Sequence, residues 1–452
     1  MSAIQQWKEF DRNQRSALIA SFLGWTLDAF DFFLMVFMLG AIAKEFGADI
    51  KAVAIAITLT LAMRPLGALV FGMLADRFGR RPVLMIDILL FSVLELASAL
   101  APSLVALLVL RAAFGFAMGG EWGLGASLTM ETIPPKARGI ASGILQTGYP
   151  FGYLLASVVY GLLFDRIGWR GMFMVGVLPA LLVLFIRRNV KESPAWNRMR
   201  EQPRQSLGAV LKKRWPMFIY VVVLMTAFNL FSHGTQDLYP TFLQVQHKLA
   251  THTVSIIAII GNVGAITGGL IFGSLSQRIG RRRAIVFGAL LALPIIPLWA
   301  FSATPVLLGI GAFLMQIAVQ GAWGVIPVHL NELSPDEVRG TFPGFAYQLG
   351  NLLASGNATI QAGFAADHGG NYALALAVVA AIAAVVIAVL TFFGPEKHGV
   401  VFGDGGQKEI GAKLEQMAER GVVIRAEASR PQYHTMARRP GALKRFLADR
   451  DG

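Results

Sequence analysis

The chain has 452 residues and no cysteine. That excludes disulfides, thiolate metal sites and a cysteine nucleophile. Charge is scarce as well: Asp, Glu, Lys and Arg make up 15% of the residues, where a soluble globular chain carries about 25%. No His-Glu-x-x-His pair and no glycine-rich phosphate loop is placed for catalysis. An enzyme, a resident metal and a cofactor are therefore all unexpected. Residues 1–16 are polar and no small-residue cleavage site follows a short apolar core, so no cleavable signal peptide is expected either.

In place of charge the chain has hydrophobic length. Apolar types make up 55% of it, and runs able to span a bilayer, which takes about 20 residues, recur along the whole sequence. Twelve are expected, over 17–40, 52–75, 83–101, 103–126, 139–164, 171–187, 216–244, 253–276, 284–301, 304–328, 341–365 and 371–393. The expected fold class is an all-α membrane protein with twelve transmembrane helices.

The formal net charge of +13 raises the question of a nucleic-acid partner, and the distribution of the charge answers it. Lys and Arg gather at 77–81, 136–138, 187–214, 278–283 and in the tail. With residues 1–16 on the cytoplasmic side, these are the alternate loops on that same side. The opposite loops, such as 302–305, are short and carry few cations. This is the positive-inside pattern. It predicts a multi-pass plasma-membrane protein (the inner membrane in a bacterium), both termini cytoplasmic, contacting lipid headgroups through its basic loops and binding no nucleic acid.

One stretch occurs twice. Gly72-Met-Leu-Ala-Asp76-Arg77-Phe-Gly79-Arg80-Arg81 returns as Gly273-Ser-Leu-Ser-Gln277-Arg278-Ile-Gly280-Arg281-Arg282. The same offset relates Trp122-Gly123 to Trp323-Gly324, Glu131 to Glu332, and Arg138-Gly139 to Arg339-Gly340. A long-period repeat in an apolar chain means two related halves, and in a membrane that is the architecture of a carrier. The expected division is two pseudo-symmetric six-helix halves, 1–186 and 215–393, a polar cytoplasmic linker at 187–214, and a polar tail at 394–452. The tail contains one weak amphipathic stretch, 410–423, to which no function is assigned.

Residues 72–81 match G-x-L-a-D-R-x-G-R-R, and Arg111, Gly115 and Gly119 match R-x-x-x-G-x-x-x-G in the fourth span. On these motifs the chain resembles the major facilitator superfamily over residues 17–393, which implies alternating access around a central site. Asp76, Arg77, Arg80, Arg81 and Arg278 are expected to gate the cytoplasmic side rather than to bind substrate. Gln277 stands where the first copy has Asp76, so the second cluster should be weaker.

Ionisable groups inside the spans point at the site. A charge at mid-membrane costs at least about 2.5–3.5 kcal/mol and normally faces a cavity or a partner. Asp28 and Asp31 lie three apart in the first span, on one helix face. Two neighbouring carboxylates titrate as a coupled pair, which suits proton pickup; the competing reading is a permanent ion pair with Arg64 or Arg111. Either arginine can present its fork to a substrate carboxylate, or serve only to neutralise Asp28, Asp31 or Glu121. Asp87 and Glu95 in the third span read as packing groups.

The densest polar signal is in the seventh span. Asn229, Ser232, His233 and Gln236 fall at i, i+3, i+4 and i+7, one helical face, and Asp237 and Thr241 extend it. Pro240 cannot donate to the Gln236 carbonyl, so the helix should bend there. A stripe of this kind needs a wet cavity or partners. The run matches N-x-x-[S/T]-H-x-[S/T]-Q-D-x-x-x-T at every defined position and resembles the lactate and pyruvate permeases of the sialate:proton symporter family. The resemblance implies proton-coupled uptake of short monocarboxylates, with Asn229, Ser232, His233, Gln236, Asp237 and Thr241 along the substrate path and His233 also able to carry a proton. Gln146, Tyr149, Tyr153, Asn262, Gln316, Gln320, Gln348 and Asn351 are further polar groups for the lining.

The expectation is therefore a monomeric symporter of H+ and a small organic-acid anion. Arg111 or Arg64 and the seventh-span face hold the anion, and Asp28, Asp31, Asp237 or His233 takes the proton. The alternatives are a carrier of aromatic acids or sialate, and a transceptor that senses its ligand without accumulating it.

Overall fold

The computed structural model describes residues 9–48, 50–200 and 207–403; the 410–423 stretch lies outside them. Among the described residues every regular element is helical. In chain order the helices are α1 (Arg12–Glu45), α2 (Ile50–Phe78), α3 (Arg80–Ala99), α4 (Leu104–Met118), α5 (Glu121–Thr132), α6 (Arg138–Gln146), α7 (Gly148–Val175), α8 (Pro179–Asn189), α9 (Pro194–Met199), α10 (Leu207–Gln236), α11 (Tyr239–Thr241), α12 (Thr251–Ile279), α13 (Arg281–Phe301), α14 (Pro305–Leu333), α15 (Phe342–Ala354), α16 (Asn357–Asp367) and α17 (Tyr372–Phe393).

Several expected spans are interrupted helices. The fourth breaks at Gly119-Gly120 between α4 and α5, and the eleventh at Ser355-Gly356 between α15 and α16. The fifth and sixth run almost continuously and change direction at Gly168, whose φ of 62° suits only glycine. For these reasons ten separate stretches are long and apolar enough to cross a membrane among the described residues.

The ends of the helices follow from side chains in the sequence. Asp11 and Gln14 cap α1 reciprocally: the Asp11 carboxylate accepts from the Gln14 amide and the Gln14 side chain accepts from Asp11 N–H. Ser103 caps α4 and Thr304 caps α14 in the simpler way. Gly79 and Gly280, at φ 112° and 93°, make the two copies of one sharp turn, between α2 and α3 and between α12 and α13. The second and fourth spans cross so closely that a Cβ on Gly115 or Gly119 would run into the backbone of Thr60 or Arg64. This is the physical content of the fourth-span glycine motif, a small-residue contact between membrane helices.

At the basic end of the molecule each copy of the repeated loop is bonded to another loop far away in sequence. The Asp76 carboxylate accepts hydrogen bonds from Gly340 N–H (2.7 Å), Thr341 N–H (3.1 Å) and the Thr341 hydroxyl (2.6 Å). In the second copy Gln277 accepts from Gly139 N–H and donates to the Pro135 carbonyl, both at 3.1 Å. The seams are thus built alike, but across the seam the neutral residue makes one accepting contact where the carboxylate makes three. Beneath them Arg80 pairs with Glu131 and Arg281 with Glu332, each at 3.0 Å.

Two further acids repeat the symmetry. Glu192 accepts from the N–H groups of Arg80 (3.0 Å) and Arg81 (3.2 Å) at the start of α3. Glu396 accepts from those of Arg281 (2.6 Å) and Arg282 (3.4 Å) at the start of α13. A carboxylate is favourable at a helix N-terminus. Burial pushes the Glu192 carboxyl above its ordinary range, and the backbone donors pull it the other way. Past α17 the chain returns across this end, so that residues 394–403, read from sequence as tail, are packed against it. Phe402 is sandwiched between the guanidinium groups of Arg138 (3.6 Å) and Arg339 (3.9 Å).

Candidate functional site

The seventh span supplies the core of the site. α10 ends at Gln236, the chain turns at Asp237 and Leu238, and α11 restarts with Pro240 in its first turn, where a missing N–H costs nothing. The stripe just before the break meets polar side chains from two other helices. The Ser232 hydroxyl accepts from Gln320 of α14 (3.3 Å), and the Gln236 amide donates to Gln316 of α14 (2.9 Å). His233 lies between Asp237, 3.2 Å from Nδ1, and Asn351 of α15, 3.2 Å from Nε2. With side-chain exposures of 31% and 39%, His233 and Asp237 are reachable from outside the packed helices.

The other stripe residues are placed differently. Asn229 is buried and bonds back to the Met225 carbonyl one turn earlier (2.8 Å). Thr241 lies past the break, in α11. Of the remaining polar groups, Asn262 likewise bonds to its own helix, at Ala258.

The two intramembrane arginines are in separate surroundings. Arg64 of α2 donates to Asp28 of α1 at 3.0 Å, lies over the Phe32 ring, and is within electrostatic reach of His233, Tyr149 and Tyr347. Its Nε has no hydrogen-bond partner among the described residues. Arg111 of α4 donates to Glu95 (2.7 Å) and Ser98 (2.6 Å) of α3 and is enclosed by the rings of Phe114 and Phe173. The sequence suggested Asp28, Asp31 or Glu121 as the acid for Arg111, and treated Glu95 as packing. The structure pairs Arg111 with Glu95, because the short 100–103 turn folds α4 back along α3. Asp28 and Asp31 accordingly face different arginines: Asp28 is bonded to Arg64, and Asp31 sits near Glu95 and Arg111.

The expected gating residues lie at the basic end. Asp76 and Arg80 are in the seam described above. Arg81 donates to the Arg187 carbonyl (2.7 Å), Arg77 is exposed over the Phe78 ring, and Arg278 is exposed.

Aromatic walls close the centre, and here the sequence reading was thin. Trp122 and Trp323, which the repeat relates, both pack on Tyr347, at ring-centroid distances of 4.7 and 5.6 Å. Trp25 packs on Tyr149 at 5.5 Å, and Trp122 donates to Gln146 (3.3 Å). The repeated Trp-Gly pair was the available signal for the first two. No group of three or more His, Asp or Glu among the described residues is arranged to hold a metal ion.

An all-helical bundle with two related hydrogen-bonded loop seams and a polar, ionisable centre has the architecture of a secondary carrier. Comparison with known proteins identifies which. The Major Facilitator Superfamily profile matches residues 21–250, and that of Sugar (and other) transporters matches residues 209–397. The chain belongs to the major facilitator superfamily, and is a transporter rather than an enzyme. It is 29% identical over 428 residues to a probable 4-methylmuconolactone transporter of Cupriavidus pinatubonensis, covering 91% of this chain and 98% of the relative. It is 30% identical over 349 residues to the sialic acid transporter NanX of Escherichia coli, covering 76% and 85%. Its fold is that of the proton:xylose symporter XylE, with a TM-score of 0.73, 19% identity, and coverage of 86% of this chain and 98% of the other.

Proposed function

We propose that this transporter is a proton-coupled importer of short monocarboxylates, lactate and pyruvate foremost. The observation that carries the reading is a buried Arg64–Asp28 pair within electrostatic reach of His233, which stands on the same helix face as Ser232 and Gln236. A small carboxylate needs one guanidinium fork, and its hydroxyl or keto oxygen needs a few convergent polar groups. Both are available. Relatives named for organic acids favour the same substrate class.

In this reading the anion takes the unused donors of Arg64 and relieves Asp28 of its ion pair. Asp28 accepts the proton, Asp31, Asp237 and His233 being the other groups able to carry it, while Arg111 keeps α3 and α4 together. Neutralising the acid and the anion together lowers the cost of closing the site. One H+ with one monoanion moves no net charge, so the membrane potential, about 2.3 kcal/mol per charge per 100 mV, adds little.

The basic end faces the cytoplasm, and the halves 1–186 and 215–393 rock about the site, joined by 187–214. Asp76, Arg77, Arg80, Arg81 and Arg278 form the cytoplasmic gate, closed in the conformation described. The functional unit is a monomer in contact with lipid.

Uptake of labelled L-lactate into proteoliposomes under a proton gradient tests the reading. A second reading has its own observation: the four rings Trp25, Tyr149, Trp122 and Tyr347 suit a flat, unsaturated acid. Benzoate outcompeting lactate would favour it.

A further inference from the structure

The first six spans bury more acid than base. Asp28 and Asp31 of α1, Asp87 and Glu95 of α3, and Glu121 of α5 are each at most 1% exposed, and among the described residues Arg64 and Arg111 are the buried bases that pair with them, Arg80 and Arg138 lying at the basic end. Arg64 answers Asp28 and Arg111 answers Glu95. Asp31, Asp87 and Glu121 are left with both carboxyl oxygens lacking a hydrogen-bond partner among the described residues. An ionised carboxylate in that position costs several kcal/mol, and the group takes up a proton instead.

Glu121 is the one of the three built against the substrate pair. Its carboxyl occupies a niche cut into α1 by Gly24: a Cβ there would overlap Glu121 Oε1. Gly24 and Asp28 are four residues apart on one face of α1, so the niche lies one turn, about 6 Å of helix rise, from Asp28. Asp28 Oδ2 is itself without a hydrogen-bond partner among the described residues. The charged groups facing Glu121 are Asp28 from α1, Arg64 from α2 and Asp87 from α3.

We propose that Glu121 is a proton-holding site that hands its proton to Asp28 when a substrate anion takes Arg64. This rests on the proton-symport reading above. The transfer balances. At rest the set is Arg64 positive, Asp28 negative and Glu121 protonated. When the anion pairs with Arg64, one water entering between the two carboxyls carries the proton across: the Glu121 Oε–H bond breaks, the water accepts that proton and gives up one of its own, and an Asp28 Oδ–H bond forms. Glu121, now negative, is reprotonated from the side to which the site is open. One proton has entered for one anion. Asp28 alone would have to collect its proton from bulk water after the anion had covered it; Glu121 already holds one, a helix turn away along α1. This makes Glu121 a positioning and relay group and not a substrate ligand.

The test separates proton holding from coupling. Infrared spectroscopy of the reconstituted protein at neutral pH reads protonated carboxyl groups by a C=O band that shifts in deuterium oxide. Glu121→Gln should remove part of that band, and should cut proton-driven L-lactate accumulation by about 100-fold while lactate binding in the same preparation falls far less. Glu121→Asp should restore part of the accumulation. Gly24→Ala, which keeps the Glu121 carboxyl group but forces it out of the niche, should lower accumulation and displace the band. A wild-type spectrum without the band, or a band unchanged in Glu121→Gln, overturns the inference whatever transport does. Loss of the band with accumulation intact overturns the relay. Wild-type protein that keeps the band but never accumulates lactate removes the symport reading, and the relay with it, while proton holding stands.

Discussion

Arg64 holds Asp28 at 3.0 Å in a pair with side-chain exposures of 6% and 1%, and the second Asp28 oxygen has no hydrogen-bond partner among the described residues. The pair is strong enough to fold around and incomplete enough to exchange. Removing one partner of a buried pair leaves an uncompensated charge and costs about 3–5 kcal/mol, whereas a substrate carboxylate replaces Asp28 at no such cost if Asp28 is protonated.

Arg64→Lys keeps the charge and loses the fork. Its KM for lactate in proteoliposomes should rise by about 10-fold or more, since a single ammonium replaces a bidentate donor. Arg64→Ala should abolish uptake and lower thermal stability, and Asp28→Asn added to it should recover stability without recovering uptake.

Arg111 should behave in the opposite order. It is sealed between Phe114 and Phe173 and bonded to Glu95. Arg111→Ala should destabilise the protein by about 3–5 kcal/mol, read as loss of monodisperse protein in detergent on heating. Glu95→Ala in the same chain should restore part of the loss.

Much of this fold was legible because membrane helices announce themselves by apolar length, and because Gly79 and Gly280 repeat a turn that only glycine makes easily. The stripe on α10 was legible from its period. Its partners Gln316, Gln320 and Asn351 stood out only as isolated polar residues in apolar runs, and nothing in the sequence aligns their helices with α10. The Arg111–Glu95 pair was missed because several intramembrane acids could have met Arg111, and the choice depends on how α4 folds back on α3. Phe402 was unreadable: it is an ordinary aromatic in a polar stretch until the fold brings Arg138 and Arg339, 264 and 63 positions away, to its two faces.

At the basic end, Asp76 takes three hydrogen bonds from Gly340 and Thr341. Asp76→Asn keeps the shape and removes the charge that strengthens them, which favours opening of that end. Because the chain has no cysteine, a single Ser127→Cys reporter, placed where the Ser127 hydroxyl donates to the Arg339 carbonyl, can be followed without background. It should be labelled several-fold faster by a membrane-impermeant maleimide in the Asp76→Asn background in detergent. Equal labelling would remove Asp76 from the gate.

Phe402 clamps the same end. Each guanidinium–ring contact contributes about 0.5–2 kcal/mol. Phe402→Ala should therefore lower the apparent Tm by several degrees, and Phe402→Leu, which restores bulk without the π face, should recover only part of it.

His233 bridges Asp237 and Asn351 across the break in the seventh span. His233→Ala should reduce lactate uptake by about 10-fold or more. His233→Gln, which can still bond Asn351 but cannot be protonated at working pH, should retain binding and lose the rise in uptake on acidification.

The central claim is tested most directly by uptake of labelled L-lactate into proteoliposomes, comparing an inward proton gradient with an equal sodium gradient and with none. The account predicts accumulation above equilibrium with the proton gradient alone, and its loss in Asp28→Asn. Lactate that only equilibrates under every gradient, or that fails to enter, would contradict it.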